Sequence, residues 1–305
     1  MRIAVVGAGG VGGYFGGRLA AAGEDVTFIV RRPFETLCVE SVKGDFIIER
    51  PNVTNDAATV GPVDIVLMCV KAWQVPEATA RILPLLGEDT AIVPLENGME
   101  APEQIAAAAG PEHAVGGLCA ILSFVVEPGH IRHISADPFV MFGELDNRPS
   151  PRLQRLCDAF VRAGVNAEVP PDIHRSMWSK FLFIVPTSGV GAITRVPLGV
   201  WRSMPETREL AERAVREIIA LASARGAALP EDAFARTMER YDLLTPDATT
   251  SLQRDIMEGK SSELDAQLGA VVRMAAESGV DVPVCDFIYR CLLPQERARV
   301  EPRAT

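Results

Sequence analysis

The sequence has no excess of positively charged residues. The 305 residues include 30 Lys and Arg against 40 Asp and Glu, which gives a formal net charge of -10 at pH 7. A general binder of nucleic acid or of an anionic membrane surface needs the opposite balance. Both classes of partner are therefore excluded, and only a local pair of basic residues remains available to hold a small anion.

Long apolar runs and paired cysteines are also absent. No run approaches the roughly 18 residues of a membrane-spanning helix. The first segment, MRIAVVGAGG, breaks into glycine after a short run and shows no cleavage-site pattern. The six cysteines form no CxxC pair, which is typical of thiols in a reduced compartment. We therefore expect a cytoplasmic protein with no membrane partner.

The first part of the chain, up to about residue 168, alternates strand-like and helical patterns. Apolar runs occur at 2–7, 25–30, 64–70, 90–95 and 113–118, and helical patterns at 12–23 and 75–87. Uninterrupted apolar strands separated by helices predict a parallel sheet that is covered on both faces. Three later runs, at 120–126, 130–134 and 139–145, are joined by turn signals and predict antiparallel strands.

The second part of the chain is predicted to be entirely helical. The segment VPPD at 169–172 is a predicted linker, because neither proline fits inside a helix or a central strand. Beyond it, the helical patterns at 206–226 and 261–279 each end at a glycine, the usual helix stop. The predicted fold class is α/β, with a Rossmann-type dinucleotide-binding domain over residues 1–168 and an all-α domain over residues 172–305.

A glycine-rich segment, VVGAGGVGGYFGG, follows the first predicted strand directly. Its pattern Gly7-x-Gly9-x-x-Gly12 is a weak signal alone, but here it lies in a strand–turn–helix–strand unit of about 30 residues. Gly9 lets the backbone approach a pyrophosphate at the helix N-terminus, where free N–H groups and the dipole favour anions. The predicted cofactor-binding residues of this loop are Gly7, Gly9, Gly10, Val11 and Gly12.

Arg31 and Arg32 follow the second predicted strand, where a protein that binds NAD presents an acidic residue to the ribose hydroxyls. A guanidinium can instead hold a 2′-phosphate through two parallel hydrogen bonds. The sequence therefore predicts NADP(H) as the cofactor, with Arg31 as a binding residue. A pair of solvated loop arginines is the alternative interpretation.

Polar side chains also follow two later strands. Lys71 and Gln74 come after the run at 64–70, and Asn97 comes after the run at 90–95. Ligands of an open parallel sheet lie outside the carboxyl ends of its strands, so all three are predicted to face the cofactor. A surface lysine and an ordinary Asn-Gly turn are the alternatives for Lys71 and Asn97.

The chain resembles the ketopantoate reductase (2-dehydropantoate 2-reductase) family over nearly its whole length. The resemblance is carried by the glycine loop with Arg31, by VKAWQ, ENGM, EPGHIRH and WSK, and by SLQRDIMEGKSSELD at 251–265. The last segment is the most specific, with its Ser, Asp, Gly-basic and Glu-x-Asp spacing. The resemblance implies NADPH-dependent reduction of a 2-oxo acid to the 2-hydroxy acid.

The resemblance also implies a role for individual residues. Lys180 is the expected general acid, and Glu263 is expected to orient the substrate and the lysine. Ser251 and Asn97 are expected to hold the substrate, and Lys71 to line the site. The chemistry agrees, because a hydride that arrives at a ketone carbon leaves an alkoxide that needs a proton donor, and apolar neighbours lower the pKa of a lysine.

Two of these residues have a structural alternative. Glu263 stands in the first turn of a predicted helix, where the helix dipole favours acids in any protein. Ser251 stands beside Thr250-x-x-Gln253, an acceptable capping box. Capping roles therefore remain open for Glu263 and Ser251.

The family pattern breaks after Lys180. The family commonly has asparagines four and eight residues after the lysine, and here these positions are Ile184 and Ser188. Helical spacing places both on the face of Lys180, and Pro186 between them is expected to kink or end the helix. Because an alkyl group replaces an amide, we expect poor reduction of ketopantoate or a preference for an apolar branch.

Other functions remain as alternatives. A 3-hydroxy acid or opine-type dehydrogenase shares the predicted architecture, but commonly has an asparagine where Ile184 stands. A catalytically silent NADP-binding sensor is the alternative from another class. We predict no metal site, because the spacing of His130 and His133 within a strand places them on opposite faces. The expected partner is a small 2-oxo acid, and we allow for a homodimer.

Overall fold

The computed structural model describes residues 1–135 and 137–300, with side chains described as far as residue 298. The chain divides into two compact units. The first contains residues 1–96 and 100–174, and the second contains Asn97–Met99 together with the chain from Arg175 onward. The division at His174 lies close to the VPPD segment.

The first unit contains strands that form three sheets within the described residues. The strands are β1 (Arg2–Val6), β2 (Asp25–Ile29), β3 (Leu37–Ser41), β4 (Phe46–Ile48), β5 (Asn52–Thr54), β6 (Val63–Met68), β7 (Leu86–Pro94), β8 (Val115–Ala120), β9 (Ser123–Glu127), β10 (His130–His133), β11 (Phe139–Glu144) and β12 (Asn166–Glu168). A five-stranded sheet has the order β5-β2-β1-β6-β7, a four-stranded sheet the order β4-β3-β10-β9, and a three-stranded sheet the order β12-β11-β8.

The five-stranded sheet is parallel throughout and confirms the predicted Rossmann-type core. Along β1, Ile3 and Val5 belong to one buried cluster and Ala4 and Val6 to another, so both faces of the strand are covered. The helices of this unit are α1 (Gly10–Ala21), α2 (Val75–Arg81), α3 (Ala101–Ala109) and α4 (Pro151–Arg162). Short 3-10 turns occupy Ala57–Thr59, Ala72–Gln74 and Leu83–Leu85.

The run at 113–118 was expected in the parallel sheet, and this expectation is wrong. The run forms β8, which pairs antiparallel with β11. Its parallel pairing with β7 is limited to one bridge just before β8, between Ile92 and Ala114, where Ile92 N donates to His113 O at 2.8 Å. The next donor along β7 in this ladder is the nitrogen of Pro94, which carries no hydrogen, so the parallel pairing stops there.

The predicted helix at 75–87 is shorter than expected. It ends at Arg81, and β7 already begins at Leu86 rather than at residue 90. Pro84 explains the early end, because proline has no N–H to continue the helix and disfavours helical geometry at the preceding Leu83. The short strands β3, β4, β5 and β12 were not predicted.

The second unit is helical, as predicted. Its helices are α5 (Ile173–Thr194), α6 (Leu198–Ser203), α7 (Pro205–Ala224), α8 (Ala233–Leu243), α9 (Ser251–Met257), α10 (Ala270–Ser278) and α11 (Pro283–Val300), with a π-helical segment at Asp265–Gly269 before α10. The buried stripe of α7 recurs at helical spacing through Ala211, Ala214, Val215, Ile218, Leu221 and Ala222. Gly226 and Gly279, with φ of 78° and 65°, follow α7 and α10 as predicted helix stops.

Pro186 does not end its helix. α5 runs from Ile173 to Thr194 without interruption, although Pro186 removes one backbone hydrogen bond. Residues 185–190 are all buried, and the hydroxyl of Thr187 donates to the carbonyl of Phe183 at 2.5 Å. Burial of the surrounding apolar turns offsets the lost bond, so the face that starts at Lys180 continues to Ser188. Within residues 1–135 and 137–300, no helix is both long and apolar enough to cross a membrane.

Candidate active site

The glycine loop connects β1 to α1 with the geometry that the sequence predicts. Gly7 has φ of 92°, a left-handed conformation that favours glycine. A Cβ at Gly7 would lie 2.9 Å from the carbonyl oxygen of Cys69. A Cβ at Gly12 would collide with the carbonyl oxygen of Gly7. Both glycines are therefore needed for the tight turn and for close packing of α1 on the sheet.

Gly9 differs from its neighbours because a Cβ there would meet nothing within 4 Å. It is the N-cap residue of α1, and neither a side-chain cap nor an acidic residue occupies the first turn. The N–H groups of Gly10, Val11 and Gly12 open this helix. An uncapped N-terminus with open space beside a glycine backbone fits the pyrophosphate of a dinucleotide.

Arg31 and Arg32 lie just beyond the end of β2, and both side chains are exposed. In the part of the chain that the structure describes, neither guanidinium forms an ion pair with a carboxylate. β2 is the direct neighbour of β1 in the parallel sheet. The two arginines thus stand at the same sheet edge as the glycine loop, where the ribose of a dinucleotide is held in this fold.

Lys71 and Gln74 follow β6, the other neighbour of β1. Gln74 has a local role, because its Oε1 accepts a hydrogen bond from the backbone N–H of Lys71 at 3.3 Å. The ammonium of Lys71 lies 5.9 Å from the ring centroid of Trp73. The structure thus places both residues at the predicted edge, and it gives Gln74 a structural task as well.

Lys180 lies on α5 with Ile184 and Ser188 on the same face. Four-residue steps along a continuous α-helix bring these three side chains into one row. Lys180 and Ile184 are partly buried, whereas Ser188 is only 1% exposed. The row therefore runs from an accessible end at Lys180 to a closed end at Ser188. Trp178 and Phe181, which flank the lysine in sequence, are buried in the core of the unit.

Asn97 and Glu263 meet within the second unit. Nδ2 of Asn97 donates a hydrogen bond to Oε2 of Glu263 at 3.3 Å, and Glu263 is only 5% exposed. Gly98 has φ of 151°, and a Cβ there would lie 3.3 Å from the carbonyl oxygen of Ala266. The segment after β7 is thus fitted against the start of the π-helical segment, which goes beyond an ordinary Asn-Gly turn.

The structure shows no hydrogen bond or ion pair between Glu263 and Lys180 among the described residues. Among the described residues, the Lys180 side chain forms no hydrogen bond or ion pair. The role of Glu263 in orienting the lysine therefore stays a prediction. What the structure does bring together is Glu263 and Asn97.

Ser251 is the first residue of α9, and Thr250 caps this helix. The hydroxyl of Thr250 accepts a hydrogen bond from the backbone N–H of Gln253 at 3.2 Å. The Gln253 side chain does not complete a capping box, because its Nε2 donates to the carbonyl of Val196 at 3.0 Å. Capping is thus carried by Thr250, and the partly buried Ser251 is left for another role.

Gln267 is a buried polar residue that the sequence interpretation missed. It is 0% exposed, and neither Oε1 nor Nε2 has a hydrogen-bond partner among the described residues. The hydroxyl of Ser188 is in the same situation. An unpaired buried polar group costs about 1–3 kcal/mol. The signal in the sequence was an amide four residues after Glu263, directly before the apolar run at 268–272.

Comparisons with known proteins agree with this arrangement. The family model described as "Ketopantoate reductase PanE/ApbA" matches residues 3–147, and the model described as "Ketopantoate reductase PanE/ApbA C terminal" matches residues 172–296. The chain belongs to the ketopantoate reductase family. The resemblance and the fold class predicted from the sequence are thereby confirmed.

Individual ketopantoate reductases and related proteins match along their whole length. An uncharacterized oxidoreductase, YkpB of Bacillus subtilis, is 33% identical over 301 residues, which span 95% of this chain and 97% of the relative. The 2-dehydropantoate 2-reductase of Nostoc sp. is 29% identical over 300 residues, spanning 95% and 94%. The crystal structure of 2-dehydropantoate 2-reductase from Geobacter metallireducens has a TM-score of 0.90 at 30% identity, and the match covers 96% of this chain and 99% of that one.

Membership in the ketopantoate reductase family makes the chain an oxidoreductase that acts on CH–OH groups. The family reaction is the reduction of a 2-oxo acid to a 2-hydroxy acid, and the reductant of the family is NADPH.

Proposed function

We propose that this protein reduces a 2-oxo acid with NADPH, and that Lys180 is the general acid. The observation that carries the proposal is the hydrogen bond between Asn97 and Glu263. It joins, inside one compact unit, two residues that the family motifs assign to the site. The partly exposed Lys180 on α5 belongs to the same unit.

Held by the glycine loop and by Arg31, NADPH would supply the hydride for the carbonyl carbon of the substrate. The carbonyl oxygen then carries the negative charge of an alkoxide, and one proton completes the 2-hydroxy acid. In this proposal, the ammonium of Lys180 donates this proton. Its positive charge also stabilises the negative charge that develops on the carbonyl oxygen. Solvent restores the proton to Lys180, since its side chain is partly exposed.

Asn97, Glu263 and Ser251 serve the substrate in this proposal. The carboxylate of Glu263 accepts from Asn97, which fixes the amide so that its oxygen is presented in one orientation. Ser251 is free of the capping task that Thr250 fulfils, so its hydroxyl is available to a substrate oxygen. Glu263 favours the charged form of a lysine that comes near it.

The cofactor is assigned to the carboxyl edge of the parallel sheet. The backbone of Gly9 and the start of α1 would hold the pyrophosphate, and Arg31 would hold the 2′-phosphate that distinguishes NADPH from NADH. Lys71 and Gln74 would line the same edge from β6.

A panel assay tests this function. Purified protein is mixed with NADPH and a set of branched and linear 2-oxo acids, including ketopantoate, and the loss of NADPH absorbance is followed. We expect turnover with at least one 2-oxo acid. NADPH binding without oxidation against the whole panel would contradict the proposal and favour the silent NADP-binding protein. A second panel contains 3-oxo acids and imino substrates, and NADPH oxidation with these alone would favour the alternative dehydrogenase.

A further inference from the structure

Glu263 lies at a bend in the chain, directly before the helical geometry begins at Leu264. Residues 260–262, which lead into this bend, form neither helix nor strand. The hydrogen bond from Asn97 to Glu263 is 3.3 Å long, slightly beyond the usual range for N–H···O bonds. Because a small shift of the backbone would break this bond, the position of Glu263 depends on contacts from elsewhere in the unit.

Helix α11 supplies such a contact directly before Glu263. Oε1 of Glu296 accepts a hydrogen bond from the backbone N–H of Ser262 at 2.8 Å, and Oε2 accepts one from the Ser262 hydroxyl at 2.8 Å. The Ser262 side chain is buried, and its hydroxyl also accepts a hydrogen bond from the backbone N–H of Leu264 at 3.3 Å. A single carboxylate of α11 thus ties the backbone on both sides of Glu263.

A second contact from α11 reaches the chain directly after Glu263. The hydroxyl of Tyr289 donates to Oδ1 of Asp265 at 2.8 Å. Burial, the hydrogen bond to Asp265 and the charge of Asp265 raise the pKa of Tyr289, so its hydroxyl keeps the proton that it donates. Nη1 of Arg273 lies 3.0 Å from both oxygens of Asp265 and balances the charge of this carboxylate.

Both contacts come from one face of a helix that is itself anchored. Tyr289 and Glu296 are seven residues apart, which brings them onto the same side of α11 two turns from each other. The first turn of α11 is held by Glu217 of α7, whose carboxylate accepts from the backbone N–H groups of Val284 and Cys285 at 2.8 and 2.9 Å. The support for residues 262–265 is therefore continuous with the core of the unit.

We propose that Glu296 and Tyr289 are positioning residues for Glu263, because they hold residues 262–265 so that the Glu263 carboxylate stays within reach of Asn97 and of the substrate. Neither residue touches the substrate in this proposal. The inference rests on the proposed function, since it assumes that Glu263 takes part in the reduction of the 2-oxo acid.

A double-mutant cycle tests whether Glu296 acts through Glu263. We would measure kcat and KM with NADPH and the 2-oxo acid of highest turnover for wild type, Glu296→Gln, Glu263→Gln and the double variant. Glu296→Gln removes the charge and one acceptor, and is expected to lower kcat/KM by about tenfold or more, because small displacements of a site residue are costly. In the Glu263→Gln background the same change is expected to cost less than about twofold.

Further variants separate positioning from folding. Glu296→Leu, which removes both acceptors, is expected to lose more activity than Glu296→Gln, and Tyr289→Phe is expected to lose less. The Kd for NADPH should be unchanged in all three. Asp286→Asn removes a charge of α11 that pairs with Arg290 of the same helix, and is the control with expected wild-type kinetics.

Thermal melting checks the folding of each variant. If Glu296→Leu fails to fold, the double-mutant cycle with Glu296→Gln and the kinetics of Tyr289→Phe decide the question. Both of these changes keep the size of the side chain.

The outcomes distinguish this inference from the proposed function. Wild-type kinetics in Glu296→Gln, or a loss of the same size in both backgrounds, would overturn the inference and leave the reductase activity standing. Wild-type kinetics in Glu263→Gln would overturn the inference together with the role proposed for Glu263. Failure of the wild-type protein to reduce any 2-oxo acid would overturn the proposed function itself, and the inference with it.

Discussion

We propose that single side chains determine the choice of cofactor and substrate in this protein, at positions where the fold of the family stays the same. Arg31 and Arg32 stand where the fold of a protein that binds NAD presents an acid. Ile184 stands where the family commonly has an amide. Lys180, by contrast, matches the residue that the family has at this position.

Removal of one guanidinium should weaken one cofactor selectively. Arg31→Ala is expected to raise the Kd for NADPH by about tenfold or more and to leave the Kd for NADH nearly unchanged, since only NADPH carries the 2′-phosphate. Fluorescence titration of both reduced cofactors measures this. Arg50→Ala, which also removes an exposed arginine of the first unit, is the control. Equal losses for both cofactors would refute the role of Arg31.

Removal of the lysine should affect the chemical step. Lys180→Ala is expected to lower kcat and kcat/KM together by about 10²–10⁴-fold, because the interaction is made in the transition state. The Kd for NADPH should stay unchanged in the same variant. Lys43→Ala removes an exposed lysine that pairs with Asp137 and is the matched control. Near wild-type turnover in Lys180→Ala would leave the lysine as a packing residue with its charge in solvent.

An amide placed at position 184 should change the choice of substrate. Ile184→Asn is expected to raise kcat/KM for ketopantoate by about tenfold relative to an acid of equal size without the hydroxyl, because it adds a hydrogen-bond partner. Ile134→Asn, at an exposed position of the first unit, is the control. If the wild-type protein already strongly favours ketopantoate and Ile184→Asn adds nothing, the argument from this position is wrong.

At the scale of the element, α4 and β11 are joined by a buried ion pair. Glu144 at the end of β11 is 5% exposed and accepts two bonds from Arg152 of α4, at 2.8 and 2.9 Å. Burial is the largest effect and would raise the pKa of Glu144. The hydrogen bonds from Arg152 and Ser150 and the charges of Arg152 and Arg148 together outweigh it, so the pKa is lowered.

This pair should make the stability of the protein depend on pH. Because the pKa of Glu144 is lower in the folded state than in the unfolded state, the folded protein binds fewer protons at acidic pH. The ionised Glu144 side chain therefore adds to the free energy of unfolding above its ordinary pKa of 4.5, and this contribution is lost as the pH falls below that value. Arg152→Met leaves the buried carboxylate with the Ser150 hydroxyl and the more distant Arg148 as its remaining partners. The loss of the main counter-charge should cost about 3 kcal/mol at neutral pH.

Denaturant unfolding of wild type and Arg152→Met over a range of pH measures this effect. The difference between the two proteins should shrink as the pH falls below 4.5, since protonation removes the charge that needs a partner. Arg155→Met, at an exposed position of the same helix, is the control. A difference that stays constant with pH would show that Arg152 stabilises the protein by packing and by its hydrogen bonds to backbone carbonyls, not by its pairing with Glu144.

The elements also show where prediction from sequence succeeds and where it fails. The parallel strands are buried on both faces and therefore have uninterrupted apolar runs. α7 is buried along one stripe and therefore has apolar residues at helical spacing. Both patterns are visible in the sequence, so these elements could be predicted. The place of β8 could not, because it depends on a missing donor at Pro94 in another strand. The continuity of α5 through Pro186 depends on burial by other helices, which the local sequence does not contain.

At the scale of the whole molecule, the residues named in the proposal are distributed over the two units. The glycine loop and Arg31 belong to the first unit, and Lys180, Glu263 and Asn97 belong to the second. The sequence indicated these residues because each follows a strand or matches a family motif. It did not indicate Gln267, since a buried amide without a partner becomes visible only when the packing around it is known.

The proposed reaction requires that the hydride passes directly from the cofactor to carbon 2 of the substrate. The protein is incubated with a 2-oxo acid and NADPH that carries deuterium at both positions of nicotinamide carbon 4, and the product is analysed by mass spectrometry. We expect the wild-type protein to form a 2-hydroxy acid with one deuterium at carbon 2, and Lys180→Ala to form little of this product. A product without deuterium, or NADPH that stays unoxidised with every 2-oxo acid, would contradict the proposed reaction.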